Sequence, residues 1–413
     1  MSDSLLSPEQ RYWESQLHSF VTYCDGSEES HLTAENSTEG LLAGYRVGVK
    51  DIIDVRGVPT RNGSALCEHV NAALYDAPVV AGLKAAGARI IGKTTTTEFA
   101  FTDPTDCRNP YDSRRTPGGS SSGSGAAVAA GFLDLALGTQ TAGSLCRPAA
   151  YCGVVGFKPS YGVLSTQGVT PLAVSFDTVG VIAKSVKVAH DSFATLTQSA
   201  GFESSQHVRF SKVLFPTENQ ASDDTLAALA QALDTLLGAG LLIDKTKISI
   251  NVSEIVSAHR TVMNAEAAQV HKNLLSSNFV ELLKPNFRAA LQAGHKLSPS
   301  QIAAARRVLR DASEWFWKQL EGVDLILSLP VPEGAPLLDG TTGFQDWLTP
   351  WTVFGGPLLC LPWGLDTLGR PRSVMLAGRP GDDNKVLEVA RQLELLSPIL
   401  PRPRAPVGFT HVI

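Results

Sequence analysis

No stretch of the 413 residues approaches the roughly 18 consecutive apolar residues that a membrane-spanning helix needs. The longest candidate, residues 126–137, is broken by Asp134. The N-terminus also lacks the short apolar core of a secretory signal, because residues 1–16 are polar and carry Asp3, Glu9, Arg11 and Glu14. Positive charge is not in surplus. The 35 Lys and Arg against 40 Asp and Glu give a net charge of −5, which leaves no basic face for nucleic acid and no polybasic membrane anchor. The six cysteines (24, 67, 107, 146, 152 and 360) are scattered without a C-x-x-C pair. A chain this long does not depend on disulfides for its core, so reduced thiols in the cytoplasm are expected. No His/Cys/Asp cluster has metal-ligand spacing, and neither a metal nor a cofactor is expected.

What is present describes an ordinary globular protein, with 43% hydrophobic and 18% charged residues. Length alone suggests two or three domains. Residues 45–55 (YRVGVKDIIDV) read as a buried strand with one lysine inside it. Residues 76–86 have apolar positions at helical spacing, with Asp76 as a candidate cap and Gly87 as the stop. A strand begins at Arg89, so the order is that of a βαβ unit. Residues 116–125 (TPGGSSSGSG) form a Gly/Ser loop, residues 126–130 a small-residue helix, residues 132–137 a strand and residues 138–144 a second polar loop. The middle, about 215–320, is more helical, with Ser222 and Ser298 as caps. The end returns to α/β patterning, with a strand over 323–329 and a helix over 384–396. No linker marks a clean domain cut.

Two literal motif matches are set aside. Residues 87–94 (GARIIGKT) fit the P-loop pattern, but they follow a helix, and Ile90 and Ile91 belong to a strand. Residues 119–123 (GSSSG) fit the nucleophile elbow, but Arg114 to Pro117 make no apolar strand ahead of it. A stronger constellation spans three segments. Lys50 sits in an apolar strand, where burial disfavours the ammonium form. It is either a structural lysine, paired with Asp51 or Asp54 or snorkelling to a strand end, or a base. Ser120 to Ser122 lie in a glycine-dense loop at a helix start. Residues 138–148 (GTQTAGSLCRP) are rich in small residues, which let consecutive N–H groups converge on one oxygen. Serine is a weak nucleophile until a base takes its proton, and a buried neutral lysine is such a base, with a second serine as relay. No histidine is expected near any of these loops, and His69 and His190 have no motif around them. A Ser-His-Asp triad therefore has no obvious base.

With these segments in view, the chain resembles the amidase signature family of serine amidohydrolases. The resemblance is carried by GVKD (48–51), APVV (77–80), IIGKTTTTEFA (90–100), TPGGSSSGSGAAVAAG (116–131), LALGTQTAGS (135–144) and RPAAYCGVVGFKPSYG (147–162). It returns more weakly at FGGPLLCLPWG (354–364) and GRPGDD (378–383). It implies a buried catalytic lysine at Lys50, a bridging serine preceded by a cis peptide at Ser120, and the nucleophile at Ser144. It implies an oxyanion hole from the backbone N–H groups of Thr141, Ala142, Gly143 and Ser144. It also implies a single α/β/α domain over 1–413 around a large mixed sheet, in place of the two or three domains suggested by length. Within it the signature core spans about 45–185, the helical middle about 215–320 and the α/β return about 321–413.

Departures from the family's common pattern bear on substrate. Gln140 stands where most members have Asp, Ala142 where most have Gly, and Cys146 at the usual Arg position, with Arg147 one residue later. The N-terminal helices look shortened, and Pro371 to Met375 (PRSVM) replace the usual P-I-G-[LV]-Q stretch. This variant resembles the malonamidase-type branch, in which the shifted arginine faces a substrate carboxylate. Arg147 is then a substrate-binding residue for a short carboxylated amide such as malonamate or a carboxylated urea. The alternative is an arginine tying its loop to a carboxylate such as Asp177. The partner expected is a small-molecule amide, with neither nucleic acid nor membrane, and with a homodimer or a small accessory subunit as the assembly. Two rival functions remain: a cysteine amidohydrolase using Cys146 or Cys152 with Glu98 and Lys50, and the amidase-type subunit of a tRNA-dependent amidotransferase.

Overall fold

The computed structural model describes residues 6–24, 40–198, 208–212, 220–239, 242–244, 248, 250–275 and 279–405. The elements begin with α1 (Pro8–Leu17), β1 (Phe20–Tyr23), β2 (Arg46–Lys50), α2 (Pro78–Ala85), β3 (Arg89–Thr94), α3 (Ser122–Ala129) and β4 (Leu135–Gln140). Then come α4 (Cys146–Cys152), β5 (Val155–Lys158), β6 (Thr178–Ala183), α5 (Val186–Thr197), β7 (Arg209–Lys212), α6 (Asp223–Gly238) and β8 (Leu242–Asp244). The helical middle is α7 (Val252–Val270), α8 (Lys272–Leu275), α9 (Pro285–His295) and α10 (Pro299–Gln319). The chain returns through β9 (Leu325–Ser328), α11 (Thr349–Val353), β10 (Leu358–Leu365), β11 (Pro371–Gly378) and α12 (Asp383–Leu396).

The strands form one 11-stranded mixed sheet in the order β1-β3-β2-β4-β6-β5-β10-β11-β9-β7-β8. The α/β/α architecture implied by the sequence is therefore observed. Alternation along each strand divides the side chains between two cores. Leu135 and Leu137 face the layer containing α2, α5, α6 and α12, while Ala136 faces the layer containing α3, α4, α7, α9 and α10. The second layer meets the sheet through small residues. Every residue of α3 is buried, and its sequence, SGSGAAVA, has no side chain larger than Val128. A side chain on Gly123 would collide with Ser19 O at 2.1 Å, so the loop and helix backbones approach as closely as glycine permits.

Several sequence boundaries shift. The strand read through 45–55 ends at Lys50, and residues 51–52 form a turn. Lys50 is thus a strand-end residue, not one inside the strand. Asp76 does not cap α2: Ala77 is the N-cap, and Asp76 accepts from the Arg56 N–H and from Lys84. The helix read at 126–130 starts four residues earlier, at Ser122, because the Gly/Ser tract is itself helical where packing demands small residues. The strand read at 132–137 is displaced to Leu135–Gln140 and takes up part of the expected polar loop, because Gly138 to Gln140 pair with β6. The caps Ser222 and Ser298 fall where the sequence puts them. Gly87 to Thr94 lead into and form β3, not a phosphate loop.

Candidate active site

β3, β2 and β4 run parallel, in that spatial order. The carboxyl ends of parallel strands are where α/β sheets present their sites. Lys50 closes β2, Thr139 and Gln140 close β4, and the 116–121 loop enters α3 beside them. Lys50 is fully buried, and its Nζ donates to Ser120 Oγ at 2.7 Å and to Thr139 Oγ1 at 2.7 Å. Neither expected acidic partner holds it. Asp51 pairs with Lys93 at 2.9 Å, and Asp54 accepts from Thr60. With no carboxylate in contact, burial holds the Lys50 ammonium down to about 7. Asp177 pulls in the opposite direction, and Arg147 adds to the lowering.

Ser120 is fully buried, and the Gly119–Ser120 peptide is cis. Gly119 is required sterically, because a Cβ there would lie 2.8 Å from Thr342 Cγ2. Ser144 is 8% exposed, while Lys50 and Ser120 are completely enclosed, so of the two serines Ser144 is the one that reaches the surface. Its loop is joined to the Ser120 loop by the Ser121 N–H, which donates to Ser144 O at 3.1 Å. No hydrogen bond joins Ser144 Oγ to Ser120 Oγ in this structure.

The loop from Thr141 to Ser144 has a distinctive pattern. Each of its four carbonyls is held. Thr141 O accepts from His259 Nε2 at 2.8 Å and Ala142 O from Thr352 Oγ1 at 2.5 Å. Gly143 O accepts from the Arg147 N–H at 3.0 Å and Ser144 O from the Ser121 N–H. Among the described residues, none of the four N–H groups donates to a protein acceptor. The two N–H groups that follow, Leu145 and Cys146, converge on Gln140 Oε1 at 3.1 and 3.0 Å. Gln140 Nε2 donates to Thr352 Oγ1 at 3.0 Å. The glutamine in the usual aspartate position therefore uses both halves of its amide, an acceptor at the start of α4 and a donor to the neighbouring threonine.

His259 corrects the expectation that no histidine lies near these loops. It is buried on α7, packed on Phe176 with ring centroids 4.3 Å apart, and burial holds its imidazole down to about 4. It touches a backbone carbonyl, not a serine hydroxyl. Asp177 is likewise not a partner of Arg147. It accepts from Thr141 Oγ1 at 2.6 Å and from the N–H groups of Leu172 and Ala173, and burial raises its carboxyl to about 6.

Arg147 is 1% exposed, and Nη2 donates to Gly119 O at 2.6 Å and to Thr342 Oγ1 at 3.3 Å. Its Nε and Nη1 are buried with no protein acceptor. Thr342 also lines a cavity of about 570 Å³ whose walls include Phe101, Arg260, Met263, Asn264 and Phe344. A larger cleft, about 800 Å³, contains none of the site residues. Three of its arginines are engaged by protein groups: Arg115 and Arg108 donate to backbone carbonyls, and Arg370 pairs with Asp366. The cysteine rival loses its support. Cys146 and Cys152 are fully buried, burial pushes the Cys152 thiol up, and Glu98 is held by Ser64 and the Lys284 N–H.

Residues 14–387 match the family model described as Amidase. The chain belongs to the amidase family. It is 33% identical to the A subunit of the glutamyl-tRNA(Gln) amidotransferase of Anaeromyxobacter dehalogenans (strain 2CP-C), over 90% of this chain and 86% of that one. A solved structure described as an amidase superposes with a TM-score of 0.86 at 29% identity, covering 95% of this chain and 96% of the other. The A subunit of the Thermotoga maritima glutamyl-tRNA(Gln) amidotransferase superposes with a TM-score of 0.80 at 27% identity, covering 95% and 92%. The protein is thus an amidase-class enzyme, a hydrolase of carbon–nitrogen amide bonds. Among its described residues no helix is long and apolar enough to cross a membrane.

Proposed function

We propose that this amidase hydrolyses a small carboxylated amide through an acyl-serine intermediate at Ser144. Neutral Lys50 takes the proton of Ser120 Oγ as Ser120 takes that of Ser144 Oγ, and Ser144 Oγ bonds to the amide carbon. The N–H groups of Thr141 to Ser144 hold the oxyanion. The proton returns through the same relay to the leaving nitrogen, the C–N bond breaks, and ammonia or an amine departs. Water, deprotonated by the same path, cleaves the ester and releases the carboxylic acid. The observation that carries this reading is the pairing of a fully buried lysine on Ser120 with four unengaged N–H groups beside Ser144. Loss of a single oxyanion donor costs about 100- to 1000-fold in kcat in comparable sites.

The substrate reading rests on Arg147. A buried guanidinium with two unengaged nitrogens is costly unless an anion meets it, and its fork geometry fits a carboxylate. This agrees with a malonamidase-type substrate. We place the enzyme in the cytoplasm, with the six free cysteines reduced, acting as a homodimer or with a small accessory subunit. A screen of small mono- and dicarboxylic amides scored by ammonia release tests the reading. Turnover of carboxylated amides by wild type and its loss in Ser144→Ala support it. Equal turnover by Ser144→Ala contradicts it.

The curated relatives favour a second reading, the amidase subunit of a tRNA-dependent amidotransferase. Free amidase activity from the purified chain alone supports the first reading over the second.

A further inference from the structure

We infer that His259 and Thr352 are positioning residues that aim the oxyanion donors. The inference rests on the serine amidohydrolase reading and adds to it two side chains from outside the signature core. A trans peptide is planar, so its carbonyl and the following N–H point in opposite directions. Holding one carbonyl therefore sets the direction of the next N–H. His259 Nε2 holds Thr141 O and so directs the Ala142 N–H. Thr352 Oγ1 holds Ala142 O and so directs the Gly143 N–H. The third plane, Gly143–Ser144, is held by the backbone of Arg147. Two of the three planes between Thr141 and Ser144 thus depend on a single side-chain donor each, one from α7 and one from α11.

The surroundings fit this task. His259 is buried and has its imidazole held well below neutrality, so it is an uncharged donor with Nε2 protonated and no charge to perturb Lys50. Phe176 against its face fixes the ring plane. Thr352 is itself oriented, because Gln140 Nε2 donates to its hydroxyl and leaves the hydroxyl proton for Ala142 O. A Cβ on Gly143 would lie 3.0 Å from Leu348, a tight contact, so a larger residue there would press on that side chain. The stiffness of the loop comes from α7 and α11.

The test compares His259→Phe, which keeps ring volume but removes the donor, with His259→Gln, which restores an N–H donor, and Thr352→Val, which keeps shape but removes the hydroxyl. A donor aimed at charge that develops in the transition state affects kcat more than KM. His259→Phe and Thr352→Val should each lower kcat about 10- to 100-fold, with KM within about twofold of wild type. An aldehyde analogue that adds to serine should lose affinity in proportion to kcat/KM. His259→Gln should recover a substantial part of kcat. Thr352→Val carries the test if His259→Phe does not fold. Wild-type kcat in both donor-free variants would overturn the inference. So would a parallel loss of activity and melting temperature without recovery in His259→Gln. If wild type shows no amidase activity, or Ser144→Ala keeps it, the functional reading falls and this inference falls with it.

Discussion

Asp177→Asn removes a charge without changing shape, and its effect on pH dependence follows from the geometry. Lys50 Nζ contacts Thr139 Oγ1, and Asp177 Oδ1 contacts Thr141 Oγ1. Thr139 and Thr141 are two residues apart, which sets a scale of roughly 7 Å for the separation of the two charges. At an effective dielectric of about 20 the attraction is about 2 kcal/mol, or between one and two pKa units. Asp177 supports the ammonium form, so its removal should move the Lys50 pKa below its present value of about 7. In the proposed mechanism catalysis needs neutral Lys50, and kcat/KM should fall as pH drops through that pKa. The acidic limb of Asp177→Asn should therefore shift down by about one unit. The plateau should be lower because the grip on Thr141, Leu172 and Ala173 is weakened. The assay is kcat/KM for ammonia release between pH 5 and 9. An unmoved limb, or one shifted to higher pH, would refute Lys50 as the base.

Lys50→Ala should cost far more activity than Ser120→Ala, because water partly replaces a relay but not a base; initial rates at pH 8 check this. Arg147→Gln should raise KM steeply for carboxylated amides and much less for neutral ones. Equal losses on both, with a lower melting temperature, would assign Arg147 to structure. Gly119→Ala should destabilise the fold by about 1–3 kcal/mol through the Thr342 contact, read by thermal or urea melting. Thiol alkylation of the native protein should leave activity largely intact, because the buried cysteines beside the site are inaccessible.

The sequence was most informative where chemistry is concentrated in contiguous frames. Lys50, Ser120 and the 141–144 loop come together because each closes a strand or opens a helix at the same end of the sheet. Composition misplaces boundaries where small residues serve two purposes. The 116–125 tract reads as a loop by composition, yet its last residues are helical because α3 must pack closely on the sheet. His259 and Thr352 lie 118 and 210 residues from the carbonyls they hold, and local spacing says nothing about such contacts. A partial signal for His259 did exist. The buried positions of α7 include Ile255, Ala258, His259, Val262, Met263 and Glu266, a helical stripe with two polar residues on its apolar face. Polar groups on such a stripe need partners, and both have them: His259 on Thr141, Glu266 on Ser175. The Asp177 pairing with Arg147 failed for a different reason. Both residues bond to the 141–144 loop, Arg147 through its backbone N–H, but the guanidinium turns to Gly119 and the carboxylate to Thr141.

The central claim is a covalent bond to Ser144, and mass spectrometry of the enzyme quenched during turnover of a carboxylated amide tests it most directly. The account predicts an acyl adduct on the peptide containing Ser144 that hydroxylamine removes and that Ser144→Ala never forms. An adduct on another residue, or steady turnover by Ser144→Ala, would contradict it.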